Sequence, residues 1–148
     1  MRNFKMDRHY ELAERLAKRG ERLGFETLSM AGHVVVQVAL GIELIEWESG
    51  FIDFFLCEPG VDAGAVAGAL EIIGHRKAAS IFRHARRLNA VHDYLAMDVL
   101  KEALFGMMPG IEDCLMAYEL KHGIRRRKRR VKMLKCGRSV LRRSEEPN

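Results

Sequence analysis

The sequence predicts an all-α protein: a single compact helical domain of about six helices over residues 1–123, followed by a basic C-terminal tail, residues 124–148. Three observations carry that prediction. Leu28, Ala31, Val35, Val38, Ile42 and Ile45 recur at alternating steps of three and four, the repeat of one helix face sustained for about five turns. No segment alternates apolar and polar residues with period two over a useful length, so no sheet is expected. Glycine and proline fall at separated points, and 48% of the residues are hydrophobic with only 3 prolines, a pattern that suits helices joined by short turns. A chain of 148 residues is long enough to bury about two-thirds of its unfolded surface in one core.

The elements follow in order. Residues 7–22 read as an amphipathic helix with Asp7 as its cap and Tyr10, Leu12, Ala13 and Leu16 facing inward. Glu11–Arg15 and Glu14–Lys18 stand in the favourable i, i+4 order. Thr27 or Ser29 caps the long helix, in which Val34, Val36, Leu40 and Leu44 add apolar surface beside the main stripe, so it is expected to be covered on more than one side. Gly50 ends it. Phe51, Phe54 and Phe55 then form an aromatic corner that must turn back under neighbouring helices, with Cys57-Glu58-Pro59-Gly60 changing the chain direction. Asp62 caps a helix from Ala63 to Ile73, closed by Gly74, and Gly64 and Gly68 on it leave room for close packing. A basic helix follows from about His75 to Asn89, with Ala78, Ile81, Phe82, Ala85 and Leu88 inward. Asp93 starts the next, which offers Tyr94, Leu95, Met97, Leu100, Leu104 and Phe105 to the core and stops at Pro109-Gly110. The last helix of the body, about Ile111 to His122, places Ile111, Leu115, Tyr118 and His122 on one face.

Charge is segregated along the chain. The net charge is +5, yet residues 1–120 carry 13 Lys/Arg against 18 Asp/Glu, whereas residues 121–148 carry 12 against 2. No lysine or arginine occurs between Arg22 and Arg76, a span that holds Glu43, Glu46, Glu48, Asp53, Glu58 and Asp62. These six carboxylates are the candidate acidic interaction surface. One reading makes them an ordinary solvated face; the other makes them a row that imitates phosphates for a basic partner such as a DNA-binding protein. In the tail, Arg125, Arg126, Arg127, Lys128, Arg129 and Arg130 are consecutive, and Lys132 and Lys135 follow. The tail lacks aromatics, so nucleic acid would be met through backbone charge rather than base stacking. Ile124, Val131, Leu134 and Leu141, spaced seven, three and seven, allow an amphipathic helix; repulsion among the six basic residues favours disorder or loose docking until an anion meets it.

Chemistry finds little support. Cys57, Cys114 and Cys136 are far apart and unpaired in spacing, as in a reducing compartment, and the charged N-terminus does not resemble a signal peptide, so a cytoplasmic location is expected. The longest apolar run contains His33 and Gln37 and falls short of a membrane span. His75, His84 and His92 do not share a helix face, and no HxxxH, HExxH or CxxC occurs. The glycines after Pro59 lack the Lys-Ser/Thr ending of a phosphate loop. No catalytic residue, metal ligand or cofactor is expected.

The segment Glu48 to Ala85 resembles the DNA mimic protein 19 family of all-helical proteins. Gly50, Phe51, Phe54, Phe55, Gly60, Ala69, Leu70, Ile73, Gly74, Ala78 and Ala85 carry the likeness, and Tyr118 and His122 extend it to about residues 28–122. Glu48 and Ser49 stand where Asn and Gly are usual, Asp53 replaces Gln, Cys57 replaces Asn and His75 replaces Ala. The resemblance implies a non-enzymatic protein with an acidic surface, a DNA-binding protein as partner, and a homodimer.

Overall fold

A computed structural model describes residues 6–47, 50–56 and 62–124. Among these it holds seven α-helices and no strand: α1 (Asp7–Leu23), α2 (Met30–Trp47), α3 (Phe51–Leu56), α4 (Ala63–Ile72), α5 (Arg76–Ala90), α6 (Tyr94–Gly106) and α7 (Met108–Lys121), with a 3₁₀ turn at Phe25–Thr27. The all-α prediction holds. The additional helix is α3, too short for a periodic pattern and read from the sequence as a corner.

Helix α2 is the centre of the body. Val35, Val38, Ala39, Ile42 and Ile45 are fully buried, and Ala31, Val34 and Val36 nearly so, because α1 covers one side of α2 and α4 another, with α3 and α7 against it as well. Ser29 resolves the choice of cap, its Oγ accepting from Gly32 N–H at 3.0 Å, while Thr27 Oγ1 donates to the Gly24 carbonyl. Asp7 is not a cap. Met6 takes that position and is buried, and Asp7 sits in the first turn, where the helix dipole favours a carboxylate.

Gly50 takes φ +88°, a left-handed conformation that a side chain would resist, and a Cβ there would lie 2.6 Å from Lys101 Cδ on α6. The chain thus re-enters a helix at once and drives Phe51 and Phe54 into the core, where both meet Phe82 of α5 edge-to-face at centroid distances of 5.4 and 5.7 Å. Asp62 caps α4 as expected, accepting from Gly64 N–H, and Gly74, at φ +94°, closes it.

Two expectations are corrected. Close packing does not occur at Gly64 or Gly68: a Cβ on Gly68 would touch nothing within 4 Å, and one on Gly64 would meet Arg86 and Asp62 side chains rather than a helix. The close approach is at Gly41 of α2, where an added Cβ would lie 2.7 and 3.0 Å from the methyl carbons of buried Val66 on α4. Pro109 does not stop the sixth helix; α6 ends at Gly106, and Pro109 lies in the first turn of α7, where its missing N–H removes no helical hydrogen bond.

Gly41→Ala should therefore destabilise the protein by about 1 kcal/mol or more, because overpacking against rigid Val66 outweighs the helix-propensity gain. Gly68→Ala should stabilise it by roughly 0.5–1 kcal/mol. Urea unfolding of the two variants checks the opposite signs.

Candidate interaction surface

Of the six carboxylates expected to form the acidic surface, four lie among the described residues. Glu43, Glu46 and Asp53 are half-buried, and Glu46 accepts a hydrogen bond from the Tyr10 hydroxyl of α1. Asp62 is exposed, but a Cβ on Gly64 would lie 3.2 Å from both Asp62 Oδ2 and Arg86 Nη1, so an arginine of α5 shares its patch of surface. Glu71 pairs with Arg83 of α5 at 2.6 Å, which holds the carboxyl below its usual range and raises the arginine. Glu48, Glu58 and the tail residues Arg125–Arg130, Lys132 and Lys135 lie outside the described residues.

A different face combines exposure with negative charge. Helix α6 packs against α3, α5 and α7 through buried Met97 and Leu104, with Leu100 and Phe105 half-buried beside them. The sequence offers Leu95 to that core, whereas in the structure it is 82% exposed. Its position explains this: Leu95 and Leu104 are nine residues apart, about half a turn out of phase at roughly 100° per residue. The outward arc comprises Leu95, Asp98, Val99, Glu102, Ala103 and Gly106, all exposed, with Val99 at 69%. It holds two carboxylates, three apolar side chains and no base. Lys101 lies to one side, 3.9 Å from Asp98 and against Gly50, so the aromatic corner adjoins this face. Val91 and Tyr94 extend the exposed apolar surface past the N-terminal end of α6.

Helix α5 presents the opposite charge. Arg76, Lys77, Arg83, His84, Arg86 and Arg87 are exposed, and the helix contains no acidic residue. His75 caps it, Nδ1 accepting from Ala78 N–H at 3.2 Å.

The polar groups that sequence reasoning missed are internal. His9 of α1 and Glu119 of α7 are both fully buried and joined Nδ1 to Oε1 at 2.6 Å, with Glu112 Oε1 3.6 Å from Nε2. A signal existed: Ile111, Leu115 and Glu119 are spaced four apart, a straighter core line than the one through Tyr118 and His122. No group of three His, Cys, Asp or Glu among the described residues could hold a metal ion. Cys114 is half-buried, and its thiol is raised by burial and by Asp113, so it is a poor nucleophile at neutral pH. No helix among the described residues is long and apolar enough to cross a membrane. Comparison of the chain with protein-family models, curated proteins and solved structures finds no match.

Tyr10 gives a pH dependence. Burial, and then the hydrogen bond to Glu46, push its hydroxyl far above the usual value near 10. Above pH 10 the unfolded chain releases this proton while the native protein keeps it, so stability falls as pH rises, by up to about 1.4 kcal/mol per pH unit from this group. Tyr10→Phe should cost about 1–2 kcal/mol at pH 7 and lose that alkaline slope. Urea unfolding of both proteins from pH 7 to 11 should show their stabilities converging above pH 10.

Proposed function

We propose that this chain is a non-enzymatic helical interaction module that binds a basic protein partner, such as a DNA-binding protein, through an acidic surface. The observation that carries the reading is the outward arc of α6, where exposed Leu95 and Val99 alternate with exposed Asp98 and Glu102. An amphipathic helix with a basic border satisfies both halves of such a face: apolar side chains cover the leucine and valine, and lysines or arginines meet the carboxylates. The corner nominated from the sequence adjoins it through Gly50 and Lys101, and Asp53 of α3 lies in that region. The likeness of residues 48–85 to the DNA mimic proteins supports the same class of partner.

A designed amphipathic peptide of leucine and lysine, titrated into the labelled protein, should shift amides of α6 first. Reversing charge at Asp98 and Glu102 to lysine should weaken it about tenfold, as two exposed ion pairs at the upper end of their range allow. The same reversal at Glu11 and Glu14 on α1, also exposed, should change it less than twofold; equal losses from both pairs would remove the reading.

A second reading, non-specific binding of nucleic acid, is favoured by the exposed Arg76, Lys77 and Arg87 of α5 together with the tail. Neutralising Arg125–Arg130 to glutamine should flatten the dependence of log K on log salt for duplex DNA by up to about 5. An unchanged slope rejects a role for the tail.

A further inference from the structure

The outward arc of α6 also identifies what covers it when no partner is bound. We propose that the chain's own basic tail docks on α6, with Val131, Leu134 and Leu141 along the outward arc from Gly106 to Leu95 and the flanking arginines and lysines beside Asp98 and Glu102. The inference rests on the proposed function in one respect: it makes the tail an intramolecular competitor for the partner's surface, and so a regulator of it.

Three observations favour this occupant. The first is charge: between Arg125 and Arg143 the chain has eleven lysines and arginines and no acidic residue, while the arc of α6 has carboxylates and no base. The second is reach. Ile124, the last described residue, is tied to α7 by its N–H to the Glu119 carbonyl at 3.0 Å. The Gly106 end of α6 is at most the length of α7 away, roughly 25 Å with the intervening turn. Seven residues of extended chain, Ile124 to Val131, cover about 23 Å, about 2 Å short of that upper bound, and each further residue adds about 3.3 Å, so the chain reaches this end of α6 by Lys132 at the latest. The third is length: wound as a helix on α6, Val131 to Leu141 would span about 15 Å, and the row from Gly106 to Leu95 spans about 17 Å. A second copy of the chain suits the face less well, because a two-fold pairing of α6 with itself brings Asp98 and Glu102 against their own counterparts.

The test uses the full chain with Cys57→Ser and Cys114→Ala, which leaves Cys136 in the tail as the single thiol, carrying a nitroxide spin label. Circular dichroism and the amide spectrum establish that this variant retains the fold. Amides of Leu95 to Gly106 should broaden at least twofold more than those of α4. Adding Leu95→Lys and Val99→Lys, or raising salt to 1 M, should abolish most of the difference. Broadening of another face, or none on α6, overturns the proposal. So does broadening that appears only when spin-labelled and isotope-labelled molecules are mixed, which would report a second copy. The outcome separates from that of the peptide titration once the titration is repeated with Arg125–Arg130 changed to glutamine: broadening of α6 in the intact tail without peptide binding even to that variant upholds the tail contact and removes the partner reading, and peptide binding without broadening does the reverse.

Discussion

Helix α2 has so little polar surface that the body must cover it on nearly every side, and the positions of the other helices follow from that constraint. Val35, Val38, Ala39, Ile42 and Ile45 fill one face, the opposite side formed by His33, Gln37, Leu40 and Leu44 is half-buried, and no residue from Ala31 to Glu46 is exposed. One layer cannot satisfy such a helix, so α1 and α4 take separate sides while α3 and α7 close in from others. Gly41 allows α4 to approach to the distance at which Val66 fills the space a side chain would have occupied. The aromatic group Phe51, Phe54 and Phe82 then ties α3 to α5, which carries the chain round to α6.

Within this apolar frame, α1 is positioned by polar contacts as well as by packing. Its Tyr10 hydroxyl donates to Glu46 on α2, and its His9 meets Glu119 on α7 in full burial. Buried polar pairs of this kind add little net stability over apolar packing, but a mismatched partner is costly, so they specify which helices meet and in what register. They also draw acids inward: Glu46 and Glu119 look, in the sequence, like surface acids, yet the first is half-buried and the second fully buried. The acidic balance of residues 1–120 therefore overstates the negative charge that the surface presents.

How much of this was legible in the sequence depended on whether the signal was local. Asp62 and Asp93 as caps, Gly74 as a stop and the inward side of α5 were readable, because cap geometry and helical period act over a few residues. Leu95 carried a readable signal as well, its half-turn offset from Leu104, but its apolarity alone points to the core, and the two cues conflict. Gly41 was silent: what distinguishes it from Gly68 is Val66, a residue of another helix. Pro109 illustrates a different ambiguity, because proline is tolerated just inside a helix as readily as just after one. For the acidic surface, sequence spacing found the carboxylates but not the tyrosine and arginines that the fold sets beside several of them.

What remains outward on α6 is small, and its size bears on how it is used. Burying Leu95 and Val99 contributes about 1.5–3 kcal/mol each, comparable with the ordering of only a few residues of chain. Attraction between the body and the tail is screened beyond roughly 8 Å at physiological salt, so charge can bring a basic segment near α6 without fixing its place there. Neither contribution holds a segment of ten or more residues by itself; the two must act on the same stretch. A face with those properties favours occupants that are both basic and amphipathic, and holds them weakly enough to exchange. That is the behaviour required of a surface for which an internal segment and an external partner compete.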